Sequence, residues 1–483
     1  DGVYRAINGN QTTAIGTTPA GGELWSFIPN EFYPELTRLH DNSPVLLLAS
    51  TPSGIAITPL KKDYFVDGAS SVYQKLNADG TTNTAYLFLS MRRGGKFIYA
   101  LDVTNPANPN FLWEISNVDT DFAELGRTFS DPKVAFVKGY ANPVLIFGAG
   151  YDANGEDAEP PIADAIGRGI YIVDATTGAL VWKATYDTSS ACSGTTIKAA
   201  CTVAGMNYSI PSDITLVDRS GNDGYIDRLY AADMGGNIWR VDLEPAAGIT
   251  PDHWTVTKLA SLGCNTGPCA SGTTPRKFFY PADVVTTNLY DAVLVGSGDR
   301  EHPLYTQQSY NVTNRFYMVK DPNTGNDGSN TNYKEGDLED ITTTLAYDGL
   351  MKGYYVTLGT GEKVVNAALT VAGYTYFGTN TSATPSANSC TTNLGIAKGY
   401  QIQPLTGKLS YVVYNGGGLP PSPVAGSVDV KVNGVDMILP FCIGCGGSKD
   451  CVGSDCKTAI GGGKPPISVS TSRSRTYWYK EVD

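Results

Sequence analysis

Residues 218–227 read Asp-Arg-Ser-Gly-Asn-Asp-Gly-Tyr-Ile-Asp and put Asp218, Ser220, Asn222, Asp223 and Asp227 on one short polar segment. Gly224 directly follows Asp223, where an EF-hand-type loop turns sharply. Hard oxygen donors with several negative charges suit calcium better than magnesium, which keeps its waters. A strict nine-position pattern (Asp-x-Asp-x-Asp-Gly-x-x-Asp) anchored on Gly224 puts Arg219 and Gly221 at the first two ligand positions, and neither can serve through its side chain. With one residue inserted, Asp218 becomes the first ligand and Ser220 or Asn222 supplies the middle. Asp223, the Tyr225 carbonyl and Asp227 then complete the set. The competing reading is a solvated acidic turn that the insertion leaves empty. Two other loops, Asp152-x-Asn154-x-Glu156-Asp157 and Asp321-x-Asn323 with Asp327-Gly328, lack a closing carboxylate in register and read as solvated insertions.

The nine cysteines fall into Cys192/Cys201, Cys264/Cys269, Cys442/Cys445 and Cys451/Cys456, with Cys390 alone. Close pairs in Gly/Ser/Thr loops favour disulfides and an oxidising compartment. Cys442-x-x-Cys445 also has zinc-ligand spacing, but Cys451/Cys456 suits a zinc knuckle less well and no histidine is near. Enzymatic constellations are poor. His40, His253 and His302 are scattered, and the chain has no Gly-x-Ser-x-Gly elbow, HExxH or phosphate loop.

The elements that must carry these residues repeat. A signature of Gly, a short spacer and aromatic-x-(Val/Leu)-Asp, often with a later Trp, is cleanest at Gly169–Asp174 with Trp182. It recurs at 2–8, 95–102 and 236–242, and more weakly at 316–321 and 399–402, roughly every 70–90 residues. Apolar runs ending in small residues lie beside the copies, at 44–49, 85–89, 144–149, 229–232, 292–297 and 374–378. Such runs, bounded by Gly and Asn and rich in β-branched and aromatic residues, read as buried strands. Hairpins repeated at a similar interval predict an all-β radial array, a β-propeller, against a stacked sandwich as the alternative. One helix is expected at residues 29–39.

At 483 residues the chain is ample for a large core. Its net charge of −12 argues against nucleic acid as a partner. It holds no apolar run of about 18 residues, the length of a membrane-spanning helix. It opens without Met at Asp1-Gly2, so it reads as an excised fragment. Residues 1–415 are expected to form the propeller body. Residues 416–483 are expected to form a Gly/Pro- and Cys-rich tail whose last segment, 472–479, returns as a closing strand.

Several stretches together resemble the PilC/PilY family of type IV pilus biogenesis factors and tip-associated adhesins. They are residues 1–4, 21–29 (Gly-Gly-Glu-Leu-Trp-Ser-Phe-Ile-Pro), 64–68, 99–106, 146–151, the 218–242 block, 418–423 and 475–478. The resemblance implies a modified seven-bladed propeller with long insertions. It also implies a surface calcium loop whose occupancy controls pilus extension against retraction, with ligands at Asp218, Ser220 or Asn222, Asp223, Tyr225 and Asp227. Pilus subunits (minor pilins), an N-terminal domain outside this sequence and a host-cell surface receptor are the implied partners. The implied location is extracytoplasmic, at the pilus tip or outer surface. Adhesion, twitching motility and virulence are the implied roles. An Arg-Gly-Asp integrin motif found in some members of the family is absent here. Residues 174–182 look like the Trp-docking motif of quinoprotein dehydrogenase propellers, which is an inter-blade lock. A quinoprotein-like oxidoreductase and a lectin-like propeller unrelated to pili are the rival readings.

Overall fold

The computed structural model describes residues 2–41, 43, 63–186, 200–203, 205–221, 223–246, 248–265, 269, 273–325, 332–384, 393–432, 435–445 and 462–463. These form seven separate sheets, and the chain is an all-β propeller. Five sheets are blades built on four antiparallel strands. The second blade, for example, runs Ser70–Leu76, Thr82–Leu89, Phe97–Asp102 and Asn110–Ser116. The third is built on Lys133–Ala135, Val144–Gly148, Gly169–Asp174 and Leu180–Thr185. The fourth comprises Thr215–Val217, Arg228–Ala232, Asn237–Asp242 and Thr255–Ser261. A two-stranded sheet (Tyr4–Ile7 with Glu23–Phe27) precedes these five and is counted as the first blade, and a hairpin of Val424–Val432 and Val435–Ile443 follows them.

The apolar runs are continuous, not alternating, because both faces of each inner strand are covered. In Gly169–Asp174, Ile170 and Ile172 pack toward Leu229, Ala231 and Trp239 of the fourth blade. Their neighbours Tyr171 and Val173 pack toward Phe88, Ile98 and Trp113 of the second. Successive side chains of a strand point to opposite faces, so one strand serves two cores. The core is therefore a ring of clusters, each shared by adjacent blades.

The repeated signature has a local reason. Its terminal Asp accepts a backbone N–H two residues on, Asp102 from Thr104 at 2.8 Å and Asp174 from Thr176 at 2.7 Å, shaping the turn. The Trp of one blade then docks on the turn of the next. Trp25 Nε1 donates to the Pro106 carbonyl at 3.0 Å, and Trp113 Nε1 to the Ala175 carbonyl at 3.1 Å. Gly178, at φ +72°, lies so close that a Cβ there would stand 2.8 Å from the Trp113 ring. Residues 174–178 are thus an inter-blade lock.

A short 3₁₀ turn, Asn30–Phe32, leads into the helix Tyr33–Asp41. No helix among the described residues is long and apolar enough to cross a membrane. Disulfides join Cys264 to Cys269 and Cys442 to Cys445, so the latter pair is not a zinc half-site. Cys192, Cys390, Cys451, Cys456, the run at 44–49 and the expected closing strand at 472–479 lie outside the described residues.

The 152–165 insertion corrects an expectation. Asp152, Glu156 and Asp164 are all buried, not solvated. Asp152 caps the short helix Ala153–Glu156 by accepting from Asn154 N, and Glu156 pairs with the buried Lys277 ammonium. Asp164, beside Glu156, has its pKa pushed up to about 9 by burial and then by that neighbouring charge. Asp321, expected on a solvated loop, is fully buried as well.

A candidate cation loop wired into a buried charge network

The 218–227 loop joins the first strand of the fourth blade, Thr215–Val217, to the second, Arg228–Ala232. Asp218 Oδ2 accepts from Gly224 N at 2.9 Å, and Asp223 Oδ1 from Tyr225 N at 3.0 Å. Gly224 takes φ +86°, which a side chain would strain. Asp227 is fully buried and accepts the backbone N–H groups of Arg219 and Ser220. Three carboxylates therefore set the curve of one turn through its own amides. Ser220 and Asp223 are exposed, Asp218 and Tyr225 are half-buried, and Asn222 lies outside the described residues.

The donor set fits a hard cation: three carboxylates, a hydroxyl and a carbonyl. Among the described residues, however, no three acidic, Cys or His side chains converge as a metal cluster. Lys138, from the preceding blade, sets its Nζ 2.8 Å from Asp223 Oδ2 and 3.1 Å from Glu244 Oε2. An internal cation thus already occupies one carboxylate of the set. The Lys138 hydrogen bond holds the Asp223 pKa below the usual carboxylate range, with the Tyr225 amide adding to it. Lys138 is raised, first by its hydrogen bond to Asp223 and then by Glu244.

On its other side the loop reaches the fifth blade. Arg219 Nε donates to Asp291 Oδ1 at 2.9 Å, and its Nη2 to the Thr287 carbonyl at 2.8 Å. Asp291 belongs to a buried network. Arg228 Nε donates to Asp242 at 2.8 Å, and Arg228 Nη1 to Asp291 at 2.9 Å. Arg240 bonds Asp242 at 2.9 Å and Asp321 at 2.8 Å. The Tyr230 hydroxyl spans Asp291 and Asp321. All four charged side chains of the Arg228–Asp242–Arg240–Asp321 chain are fully buried. A charge in that position is tolerable only when paired, and removing one partner is costly. Burial first, then opposed by the two guanidiniums, leaves Asp242 raised above its ordinary pKa.

The sequence pattern picked out Asp218, Asp223 and Asp227. It missed Lys138, Glu244 and the arginine–aspartate network, because their partners lie on other strands and, for most, other blades. The one available signal was the pair of arginines inside otherwise apolar strands, Arg228 and Arg240.

A family model described as the PilY1 beta-propeller domain matches residues 56–255, which include the whole loop and network core. Over that span the chain is similar to the PilY1-family β-propeller. Over 240 residues it is 30% identical to the type IV pilus biogenesis factor PilY1 of Pseudomonas aeruginosa, covering 49% of this chain and 17% of that protein. A PilY1 homolog of Xylella fastidiosa is 28% identical over 204 residues, covering 41% of this chain and 12% of the relative. The matched part of the chain thus spans less than a fifth of the length of these relatives. The crystal structure of the P. aeruginosa PilY1 C-terminal domain superposes with a TM-score of 0.55 at 19% identity, covering 87% of each chain. These relatives are named as pilus biogenesis factors, not as enzymes.

Proposed function

We propose that this propeller acts in a type IV pilus biogenesis factor outside the cytoplasm, at the pilus tip or cell surface. In this reading it meets minor pilins and the remainder of its own longer chain, contacts a host-cell receptor, and supports adhesion, twitching motility and virulence. Calcium at the 218–227 loop sets the balance of pilus extension against retraction. The ligands are Asp218, Ser220 or Asn222, Asp223, the Tyr225 carbonyl and Asp227. The observation that carries the reading is the loop's position between two blades. Lys138 holds Asp223 from one side, and Arg219 ties the loop to the Asp291 network on the other.

Calcium supplies charge neutralisation when bound. The chain's own residues do the rest: Asp223 leaves Lys138, Asp227 keeps the turn closed through two amides, and Arg219 transmits the loop's position to the fifth blade. At calcium about 100 times its Kd, linkage favours the bound loop by about 2.7 kcal/mol, enough to shift a balanced two-state loop almost completely.

The test is calorimetric titration of the chain with calcium, wild type beside Asp223→Ala. Saturable binding lost in the variant is the expected result. The same substitution, placed in the full-length gene, should then alter pilus retraction. Absence of binding to the wild type in millimolar calcium removes the calcium switch and leaves the pilus reading to be judged by deletion alone.

A further inference from the structure

The mouth at the opposite end of the propeller from the loop holds a cavity of about 460 Å³, within the size range of small-molecule sites. The topology places it there. In each antiparallel blade the start of the first strand and the end of the second lie at one end. Asp67, Asp213 and Pro281 each precede a first strand, whereas Arg92 and Arg300 follow second strands. The 218–227 loop connects the other ends of such a pair. The cavity is therefore independent of the calcium reading.

The charges in this mouth are not all satisfied. Arg93 and Glu301 pair with each other at 2.7 Å, and Arg93 also grips Asp157 at 2.8 Å. Arg92 is exposed, and its side chain makes no hydrogen bond or ion pair among the described residues. Arg300 is exposed too and spends one N–H on the Tyr280 hydroxyl at 2.7 Å. Asp67 has no partner among the described residues. Asp213 accepts from the Asp131 amide at 2.8 Å, with Lys133 4.0 Å away. In a chain of net charge −12, two exposed guanidiniums at one mouth are a local exception, Arg92 acting on Asp131 only through space, without a bond to it. Arg92 also has φ +44°, a backbone region that a non-glycine residue occupies only when its surroundings impose it. Strain of this kind clusters at ligand sites. Phe129 and Tyr280 add aromatic faces to the wall.

We propose that this mouth binds an acidic sugar, a hydroxylated monocarboxylate of uronate type. Its carboxylate pairs with Arg92 and Arg300, since guanidinium matches a planar carboxylate. Its hydroxyls donate to Asp67 and Asp213, and the apolar face of its ring lies on Phe129 or Tyr280. A dianionic phosphate would meet those two aspartates unfavourably, whereas a monoanion bearing donors complements both signs.

The test is calorimetry on the 483-residue chain with galacturonate, neutral galactose and a blocked Asp-Glu tetrapeptide. Galacturonate should bind saturably, galactose about tenfold or more weakly, and the peptide not at all. Arg92→Gly should weaken galacturonate about tenfold or more with an unchanged or higher melting temperature, because glycine takes this φ without strain. Arg300→Gln should weaken it as well and serves if the first variant misfolds. Failure of galacturonate to bind, equal binding of galactose, or undiminished binding by both variants overturns the proposal. Preference for the peptide overturns it too, and would make the mouth a protein-docking site.

Discussion

Replacing Lys138 by Met should tighten calcium binding at the 218–227 loop. The ammonium stands 2.8 Å from Asp223 and 3.1 Å from Glu244, so it holds a carboxylate that calcium would use. The Lys138 and Asp223 side chains are 32% and 39% exposed. Breaking a pair that open costs about 0.2–1 kcal/mol. The ammonium also repels a divalent ion. At a separation of about 5 Å in a water-like dielectric that repulsion is about 1.7 kcal/mol, and salt removes a good part of it. The two contributions together come to about 1–2 kcal/mol, or about five- to thirtyfold in Kd. Methionine keeps an apolar stem of similar length, so packing changes little. The assay is calcium calorimetry on both proteins at low and high salt, with a melting curve in chelator as control. The gain should shrink as salt rises, and the calcium-free stability should move by less than about 1 kcal/mol. An unchanged Kd refutes the competition. A weaker Kd would show that Lys138 positions Asp223 instead of blocking it.

Other perturbations test the frame around the loop. Arg228→Met leaves Asp242 and Asp291 each short of a buried partner, so urea unfolding should show a loss of about 3–5 kcal/mol. Gly178→Ala forces a side chain into φ +72° and against Trp113, and should cost about 1–3 kcal/mol in the same assay. The His302 pKa is raised by its hydrogen bond to Asp299, against burial. Its stabilising contribution is thus complete below the unfolded value of about 6.5 and disappears as pH rises through the higher folded value. The stability gap between wild type and His302→Gln should accordingly be widest near pH 5–6 and narrow toward about pH 9. A gap that widens with pH would mean that His302 acts as a neutral partner.

Short-range patterns settled the repeat and the loop. A terminal Asp two residues before a turn N–H and a glycine at a left-handed position act within a few residues, and the Trp follows in the same blade's sequence although it docks on the next blade, so the signature is visible in one blade's sequence. The same locality made the Cys264–Cys269 and Cys442–Cys445 pairs legible, since the partners are only 5 and 3 residues apart. Asp218, Asp223 and Asp227 stood out for that reason too. The acidic insertion at 152–165 misled because composition reports charge and not burial. Its partner Lys277 is more than a hundred residues away in the chain, and only that pairing lets Glu156 sit inside.

The tertiary structure alone decided where charges meet. Lys138 carries no local mark that distinguishes it from any surface lysine. It becomes the rival for Asp223 because radial closure sets the third blade beside the fourth. Arg219, Arg228 and Arg240 are bound to aspartates on neighbouring strands and blades, and the mouth collects Arg92 and Arg300 from blades about 200 residues apart. Backbone conformation is dictated by adjacent residues, whereas Coulomb pairing depends on distance in space. In a radial repeat, distance in space bears little relation to distance along the chain.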